Sequence, residues 1–273
     1  MNDPIQTLVI LIPGNPSVPG VYEPFLNAVV SKLSQNREQV KGIVLPHLGQ
    51  CNTHLRRIKT INLFDVVEEH KKNILNHLQN YQAEEVILIG HSLGGAVTLL
   101  LQDELHDAID RFIFLCPFLG PSARNTSYLK LFKNPITRFG LKYGSYTILS
   151  NQIVANRFFI KWLGENPQNK NIIKQIKKPN YIHNFFTLVS GYFRDFHKVN
   201  LRHKVTNMDS DKSYFVFARD DFWVPPEVVQ KLPNAIRYSV LDDISHDFCL
   251  VEKQFQQVAQ SIHKYLEPIS KMA

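Results

Sequence analysis

The 273-residue sequence lacks several features that would assign it to particular classes of protein. No run of 18 uninterrupted apolar residues is present, which argues against a single-pass membrane helix. The N-terminus has no cluster of positive charge and reaches Pro13-Gly14 after only six apolar residues, which predicts a buried strand and not a secretory signal. The three cysteines, odd in number and without C-x-x-C spacing, favour reduced thiols over disulfides or a zinc site. We therefore expect an intracellular, cytoplasmic protein.

Acidic residues are scarce in the middle of the chain. Residues 121–212 contain 16 Lys and Arg but only 4 Asp and Glu, whereas the remainder carries a net negative charge. No helix-turn-helix, RNA-binding sheet or zinc module accompanies this basic segment, so we expect no nucleic-acid partner. Aromatic residues alternate with lysines in NRFFIKW (156–162) and IKKPNYIHNFF (176–186), which favours docking on an anionic membrane or lipid-droplet surface. The alternative is that these aromatics pack on the domain and the lysines keep them soluble.

Short apolar runs alternate with helical patterns along most of the chain. Several of the runs are apolar without alternation, as in strands that are covered on both faces. The predicted strands are Thr7–Ile12, Gly42–Leu45, Glu85–Ile89, Arg111–Leu115, Ser213–Phe217 and Ile236–Leu241. The predicted helices are Tyr22–Leu33, Phe64–Leu78, Leu93–Leu105 and Phe255–Leu266. This alternation indicates βαβ units, and so an α/β fold with a mostly parallel central sheet flanked by helices.

The alternation stops between Gly120 and Asp211. That stretch is too long for an ordinary connection, and long insertions are usually functional. The predicted organisation is therefore a core over residues 1–119, a large, mainly helical lid over 120–211, and a second part of the core over 212–273.

A G-x-S-x-G motif follows the third predicted strand, and a helical pattern begins directly after it. The motif is Gly90-His91-Ser92-Leu93-Gly94. A turn this tight needs neighbours that are almost free of side chains, and its strained backbone lifts the serine hydroxyl clear of the sheet. Ser92 is the candidate nucleophile, and the alternative is a glycine-rich turn that only packs. His91 is expected to pack or to bond the backbone rather than to act as a base.

A nucleophilic serine requires a base, and the base requires an acid that orients it. In parallel α/β folds that carry this serine motif, both residues come later in the chain, with the acid before the histidine. Each lies in a loop at the carboxyl end of a strand. His246 follows the last predicted strand and is the candidate base. Asp221 follows the strand before it, four residues ahead of Pro225, and is favoured as the acid over its neighbour Asp220.

Backbone N–H groups are expected to bind the oxyanion that forms during acyl transfer. One is the amide of Leu93, directly after the nucleophile. The other is the amide of Asn15 in the loop after the first strand, where Gly14 allows close approach of the backbone. The alternative is an ordinary Gly-Asn-Pro turn.

These motifs resemble those of the lipid-droplet-associated hydrolases, a branch of the α/β-hydrolase superfamily. The match lies in Ile12-Pro13-Gly14-Asn15-Pro16 with Tyr22 and Phe25 after it, in the serine motif, in Asp221-Phe222-Trp223-Val224-Pro225, and in His246-Asp247-Phe248. The resemblance runs through the chain in motif order, although the insertion diverges and Asp247 stands where a small apolar residue is expected. It implies a hydrolase associated with intracellular lipid stores that acts on lipid esters, with sterol esters as the proposed substrates.

The sequence thus predicts a serine esterase with the catalytic residues Ser92, Asp221 and His246, and it implies no metal and no organic cofactor. Two other hypotheses stay open. In the first, the chain is a lipid-surface binding protein whose triad is slow or vestigial. In the second, it is an enzyme whose triad serves acyl transfer or acts on thioesters or peptides.

Overall fold

A six-stranded parallel sheet forms the centre of the protein. The computed structural model describes residues 5–50, 57–151 and 167–267, and residues 154, 157 and 161 between them. The strands are β1 (Thr7–Ile12), β2 (Val40–Val44), β3 (Glu85–His91), β4 (Arg111–Leu115), β5 (Ser213–Ala218) and β6 (Arg237–Leu241). They are ordered β2-β1-β3-β4-β5-β6, and every neighbouring pair is parallel. The strand order reverses between β1 and β3, so a crevice for ligands is expected at the carboxyl ends of these two strands.

Helices connect the strands and cover the sheet. Those of the core are α1 (Pro19–Leu33), α2 (Leu63–Tyr81), α3 (Leu93–Leu105), α9 (Pro226–Val229) and α10 (Glu252–Leu266). Between β4 and β5 lie α4 (Thr126–Lys133), α5 (Pro135–Ser150), α6 (Pro167–Ile176), α7 (Pro179–Asp195) and α8 (Leu201–Thr206). Short 3-10 turns occupy Phe196–Lys198 and Phe248–Leu250. None of the described helices combines the length and the apolar character needed to cross a bilayer.

The central strands are buried on both faces, which explains their unbroken apolar sequences. All six residues of β1 are buried. Leu8, Ile10 and Ile12 join the core on one side of the sheet, whereas Val9 and Leu11 join the core on the other. A strand that contributes to two cores has no polar face, and so it shows no alternation.

The α/β-hydrolase fold predicted from the sequence is confirmed. β1, β4 and α3 have the predicted bounds, while the other predicted elements lie within one to three residues of the observed ones. The described residues between β4 and β5 are largely helical, and the division of the chain at residues 120 and 211 stays a prediction.

The docking of the aromatic lid sequences on a lipid surface stays a prediction. In IKKPNYIHNFF, Ile176, Tyr181 and Ile182 are buried, and Phe185 packs against the core. The burial of these side chains favours the packing alternative for this part of the segment. The aromatics of NRFFIKW, Phe158, Phe159 and Trp162, lie outside the described residues.

Candidate active site

Ser92 stands at the sharp turn between β3 and α3. Its φ is 53° and its ψ is −116°, a conformation that non-glycine residues rarely adopt. The turn is held because the Ser92 amide donates to the Leu115 carbonyl over 3.0 Å and the Ser92 carbonyl accepts from the Phe118 amide over 3.0 Å. Backbone strain of this kind persists only where the surroundings fix it, and it is concentrated at functional sites.

The glycines around Ser92 are required by close backbone approach. A methyl group on Gly94 would overlap the carbonyl oxygens of Ile12 and Pro13, and one on Gly90 would overlap the Thr98 hydroxyl. The turn therefore packs directly against the end of β1, which brings the loop after β1 next to the nucleophile.

Ser92, His246 and Asp221 form one continuous chain of hydrogen bonds. His246 Nε2 lies 2.8 Å from Ser92 Oγ, and His246 Nδ1 lies 2.7 Å from Asp221 Oδ2. Because a carboxylate only accepts, Nδ1 carries the proton and the free lone pair of Nε2 faces the serine hydroxyl. This tautomer is the one in which the imidazole can take a proton from Ser92.

Asp221 is held as a carboxylate. It is buried, which acts to raise its pKa, but the hydrogen bond from His246 and those from the Trp223 and Val224 amides to Oδ1 outweigh burial and lower the pKa below its usual value. Asp220, the rival acid in the sequence, is exposed to solvent. Of the two neighbours, Asp221 is the one that the structure brings to His246.

Asn15 and Leu93 both lie near Ser92. Leu93 is the first residue of α3, and Asn15 lines a small cavity together with Ser92 and His246. Within the described part of the chain, neither amide N–H has a hydrogen-bond acceptor. Both donors therefore remain available.

Gln50 holds the loop that carries Asn15, a role that the sequence did not indicate. Its side chain donates to Asn15 Oδ1 over 2.6 Å and accepts from the Ser17 amide over 2.6 Å. Tyr181 of α7 donates to the same Gln50 oxygen over 3.2 Å. The signal that could have found Gln50 is its position just after β2, at the carboxyl edge where the site forms.

Tyr22 and His91 connect the same loop to the histidine. Tyr22 Oη accepts from the Gly14 amide over 3.0 Å and lies 2.9 Å from His91 Nδ1. His91 Nε2 lies 3.0 Å from the backbone carbonyl of His246. Tyr22 and His91 are both buried, so these bonds are shielded from water. The expectation that His91 bonds the backbone is met by this contact.

One small cavity beside Ser92 is lined by described residues. The cavity lined by Asn15, Tyr22, Ser92, His246 and Leu250 has a volume of about 30 Å³, roughly the share of one water molecule. Among the described residues, this cavity is too small to hold an acyl chain.

One group of potential metal ligands lies at the site among the described residues. Ligand atoms of Cys116, Asp221 and His246 lie within 4.8 Å of one another. Burial, and then the charge of Asp221, raise the pKa of the Cys116 thiol well above its usual value, so it stays protonated at neutral pH. The other two groups are joined to each other by a hydrogen bond, so this set does not suit a cation. Cys116 and Cys249 are free thiols, and Cys51 lies outside the described residues.

An exposed apolar surface lies on α5, away from this site. Ile136 is 83% exposed and Phe139 63%, and Tyr143 and Ile148 are exposed as well. Gly140, Gly144 and Thr147 complete the surface, which we call the α5 face. The described exposed residues of α5 carry no charge.

The strand order and the strand-turn-helix around Ser92 give this protein the α/β-hydrolase fold. A lipase-esterase related protein from Clostridium acetobutylicum ATCC 824 shares the fold, with a TM-score of 0.63 and 14% identity over 97% of this chain and 96% of that one.

The family follows from the sequence comparison. The lipid-droplet associated hydrolase family matches residues 5–249, so the chain belongs to that family. A lipid droplet-associated hydrolase of Gallus gallus is 30% identical over 132 residues, which are 44% of this chain and 39% of that protein. An uncharacterized hydrolase of Bacillus subtilis (strain 168), YugF, is 20% identical over 77% of this chain and 75% of its own length.

Proposed function

We propose that the protein hydrolyses carboxylic esters, and lipid esters in particular, with Ser92, His246 and Asp221 as a catalytic triad. The observation that carries the proposal is the hydrogen-bonded chain from Ser92 Oγ through both nitrogens of His246 to Asp221, at 2.8 and 2.7 Å. Distances of this length allow a proton to pass from the serine to the imidazole.

The reaction takes place in two halves. His246 Nε2 accepts the Ser92 proton as Oγ bonds to the ester carbonyl carbon, and Asp221 stabilises the imidazolium. The amides of Asn15 and Leu93 donate to the oxyanion of the tetrahedral intermediate. His246 then protonates the departing alcohol, which leaves an acyl group on Ser92. His246 then takes a proton from a water molecule as the water oxygen bonds to the acyl carbon. When the bond between that carbon and Ser92 Oγ breaks, His246 returns the proton to Oγ and the acid leaves.

Ester turnover tests this proposal. The substrates are a chain-length series of p-nitrophenyl esters, with a thioester and a peptide of matched acyl group. Ser92→Ala should reduce kcat by a factor of at least about 10³, whereas Ser34→Ala, an exposed serine on the far end of α1, is the matched control. Turnover by Ser92→Ala at the wild-type rate would reject the assignment. A preference for thioester or peptide over ester would reject the substrate class.

The α5 face is the contact with an anionic lipid surface in this proposal. Residues 121–151 contain five Lys and Arg and no Asp or Glu, so attraction to anionic headgroups acts together with burial of Ile136 and Phe139. Exposed apolar patches of this kind mark interaction sites in soluble folds.

Flotation with phosphatidylserine-containing vesicles tests the surface contact. Ile136→Asp with Phe139→Asp should abolish flotation, whereas Leu75→Asp, at an exposed apolar residue on α2, should not. Equal flotation of the two variants would reject the α5 face. Flotation of Ser92→Ala combined with negligible ester turnover by wild type would favour the alternative function, a lipid-surface binding protein with a vestigial triad.

A further inference from the structure

We propose that Tyr22 and His91 are positioning residues that fix the oxyanion loop and the catalytic histidine relative to Ser92. They do so through one buried relay that runs from the Gly14 amide through Tyr22 and His91 to the His246 carbonyl. The inference rests on the proposed function, because it concerns the base and the oxyanion loop assigned there.

The direction of every bond in the relay is determined. The His246 carbonyl can only accept, so His91 Nε2 carries the proton and donates over 3.0 Å. In a neutral imidazole the other nitrogen, Nδ1, is then an acceptor, and Tyr22 Oη donates to it over 2.9 Å. The Gly14 amide can only donate, and it donates to Tyr22 Oη over 3.0 Å. Each group in the relay therefore donates to the next, from the Gly14 amide to the His246 carbonyl.

Burial keeps this arrangement in one state. Burial first, and then the proximity of His246, lower the pKa of His91 to about 3. His91 is therefore neutral wherever an esterase of this kind works. The His91 and His246 rings lie 5.2 Å apart between centroids. A neutral His91 does not oppose the positive charge that His246 gains when it takes the serine proton.

The relay packs closely against one side of the nucleophile. A methyl group on Gly14 would lie 3.0 Å from Ser92 Cβ and 3.1 Å from both His91 Nδ1 and Tyr22 Oη. The four residues thus pack against one another without spare room. A shift at either end of the relay is transmitted to Ser92 by contact.

Each end of the relay has a separate catalytic consequence. At one end, His246 lies in a loop outside the sheet, and the bond from His91 holds its backbone in place. At the other end, Tyr22 engages the Gly14 amide, so the next amide, that of Asn15, is the one left free to face the oxyanion. Misplacement of catalytic groups by about 1 Å can reduce rates by about 100-fold.

Substitutions separate positioning from simple packing. Tyr22→Phe and His91→Leu remove the relay with little change in volume. His91→Gln restores a side-chain N–H that can reach the His246 carbonyl. Tyr214→Phe is the matched tyrosine control, because its buried hydroxyl bonds Ser239 and Ser261 on the far side of β5. His263→Gln, at a buried histidine of α10, is the matched histidine control.

Steady-state kinetics on a short soluble ester give the first readout. Tyr22→Phe and His91→Leu should lower kcat by about 10- to 100-fold with KM nearly unchanged, and His91→Gln should recover most of the loss. The two controls should keep wild-type kcat at a similar thermal midpoint. If Tyr22→Phe and His91→Leu keep kcat within twofold of the controls, the relay is packing only and the proposal fails, while a dead Ser92→Ala would still support the proposed function.

Ring-nitrogen NMR gives a second readout that does not depend on activity. In the Ser92→Ala protein at pH 7, His91 should show a protonated Nε2 and an unprotonated Nδ1. In Tyr22→Phe the Nε2 proton should remain, because the His246 carbonyl still accepts it, while the Nδ1 resonance should shift as it loses the hydrogen bond from Tyr22. The opposite tautomer, or an imidazolium, would overturn the relay whatever the catalytic result.

Discussion

Asp221→Asn changes one atom of the site, and the structure defines its effect closely. Asp221 Oδ1 accepts from the Trp223 and Val224 amides, while Oδ2 accepts from His246 Nδ1. An asparagine must place its NH₂ group towards one side. If the NH₂ group faced the Trp223 and Val224 amides, three donors would meet without an acceptor, which is costly for buried groups. Facing His246 costs less, because the imidazole can change tautomer.

That tautomer is inactive. With the NH₂ group of residue 221 facing it, His246 Nδ1 must become the acceptor, so Nε2 carries the proton and points it at Ser92 Oγ. The imidazole can then no longer take the serine proton. The equivalent change in serine proteases lowers kcat by about 10⁴, or about 5.5 kcal/mol of barrier, and we expect a loss of this order with KM nearly unchanged.

Ester kinetics provide the assay, and the neighbouring carboxylate provides the control. Asp220→Asn alters an exposed side chain and should keep kcat within about twofold. The reasoning is refuted if Asp221→Asn stays within tenfold of wild type, or if Asp220→Asn shows the larger loss.

Three further predictions concern the surroundings of the site. Gly94→Ala should lower Tm by roughly 10 °C, because the added methyl meets the Ile12 and Pro13 carbonyls. Gly140→Ala should leave Tm unchanged, because nothing lies within 4 Å of the added methyl. Equal Tm values of the two variants, measured by calorimetry, would contradict this reasoning. Gln50→Leu should lower kcat/KM for a short ester by about tenfold as the Asn15 loop loosens, and an unchanged value would show that the loop does not need this support. Burial lowers the pKa of His70 to about 4. Between pH 6.5 and 4 the unfolded chain therefore binds a proton that the folded protein does not, and the free energy of unfolding falls as the pH is lowered through that window. In urea titrations at pH 7 and pH 4, His70→Gln should lose ~3 kcal/mol less free energy of unfolding than wild type, and equal losses would contradict the buried neutral state.

The parts of the fold that could be predicted are those with a local physical cause. β1 and β4 are buried on both faces, so their unbroken apolar sequences mark them. The turn at Ser92 needs glycines at close contacts, so its motif marks the position. His246 and Asp221 follow from the order in which strands end at one edge of the sheet. None of these depends on distant packing.

The interactions that could not be predicted depend on contacts across the chain. Gln50 bonds Asn15 and Ser17 of the loop after β1 and Tyr181 of α7, and no spacing in the sequence indicates these contacts. The aromatics of α7 look like a docking surface by composition, yet Tyr181 is buried. The exposed surface lies on α5, since tertiary packing decides which of several apolar helix faces is covered.

The most direct measurement of the central claim is the site of reaction with a fluorophosphonate, mapped by peptide mass spectrometry. The account predicts one adduct, on the peptide that carries Ser92, formed by wild type and at least about 10³-fold more slowly by His246→Gln. An adduct on another residue, or equal rates for the two proteins, would contradict it.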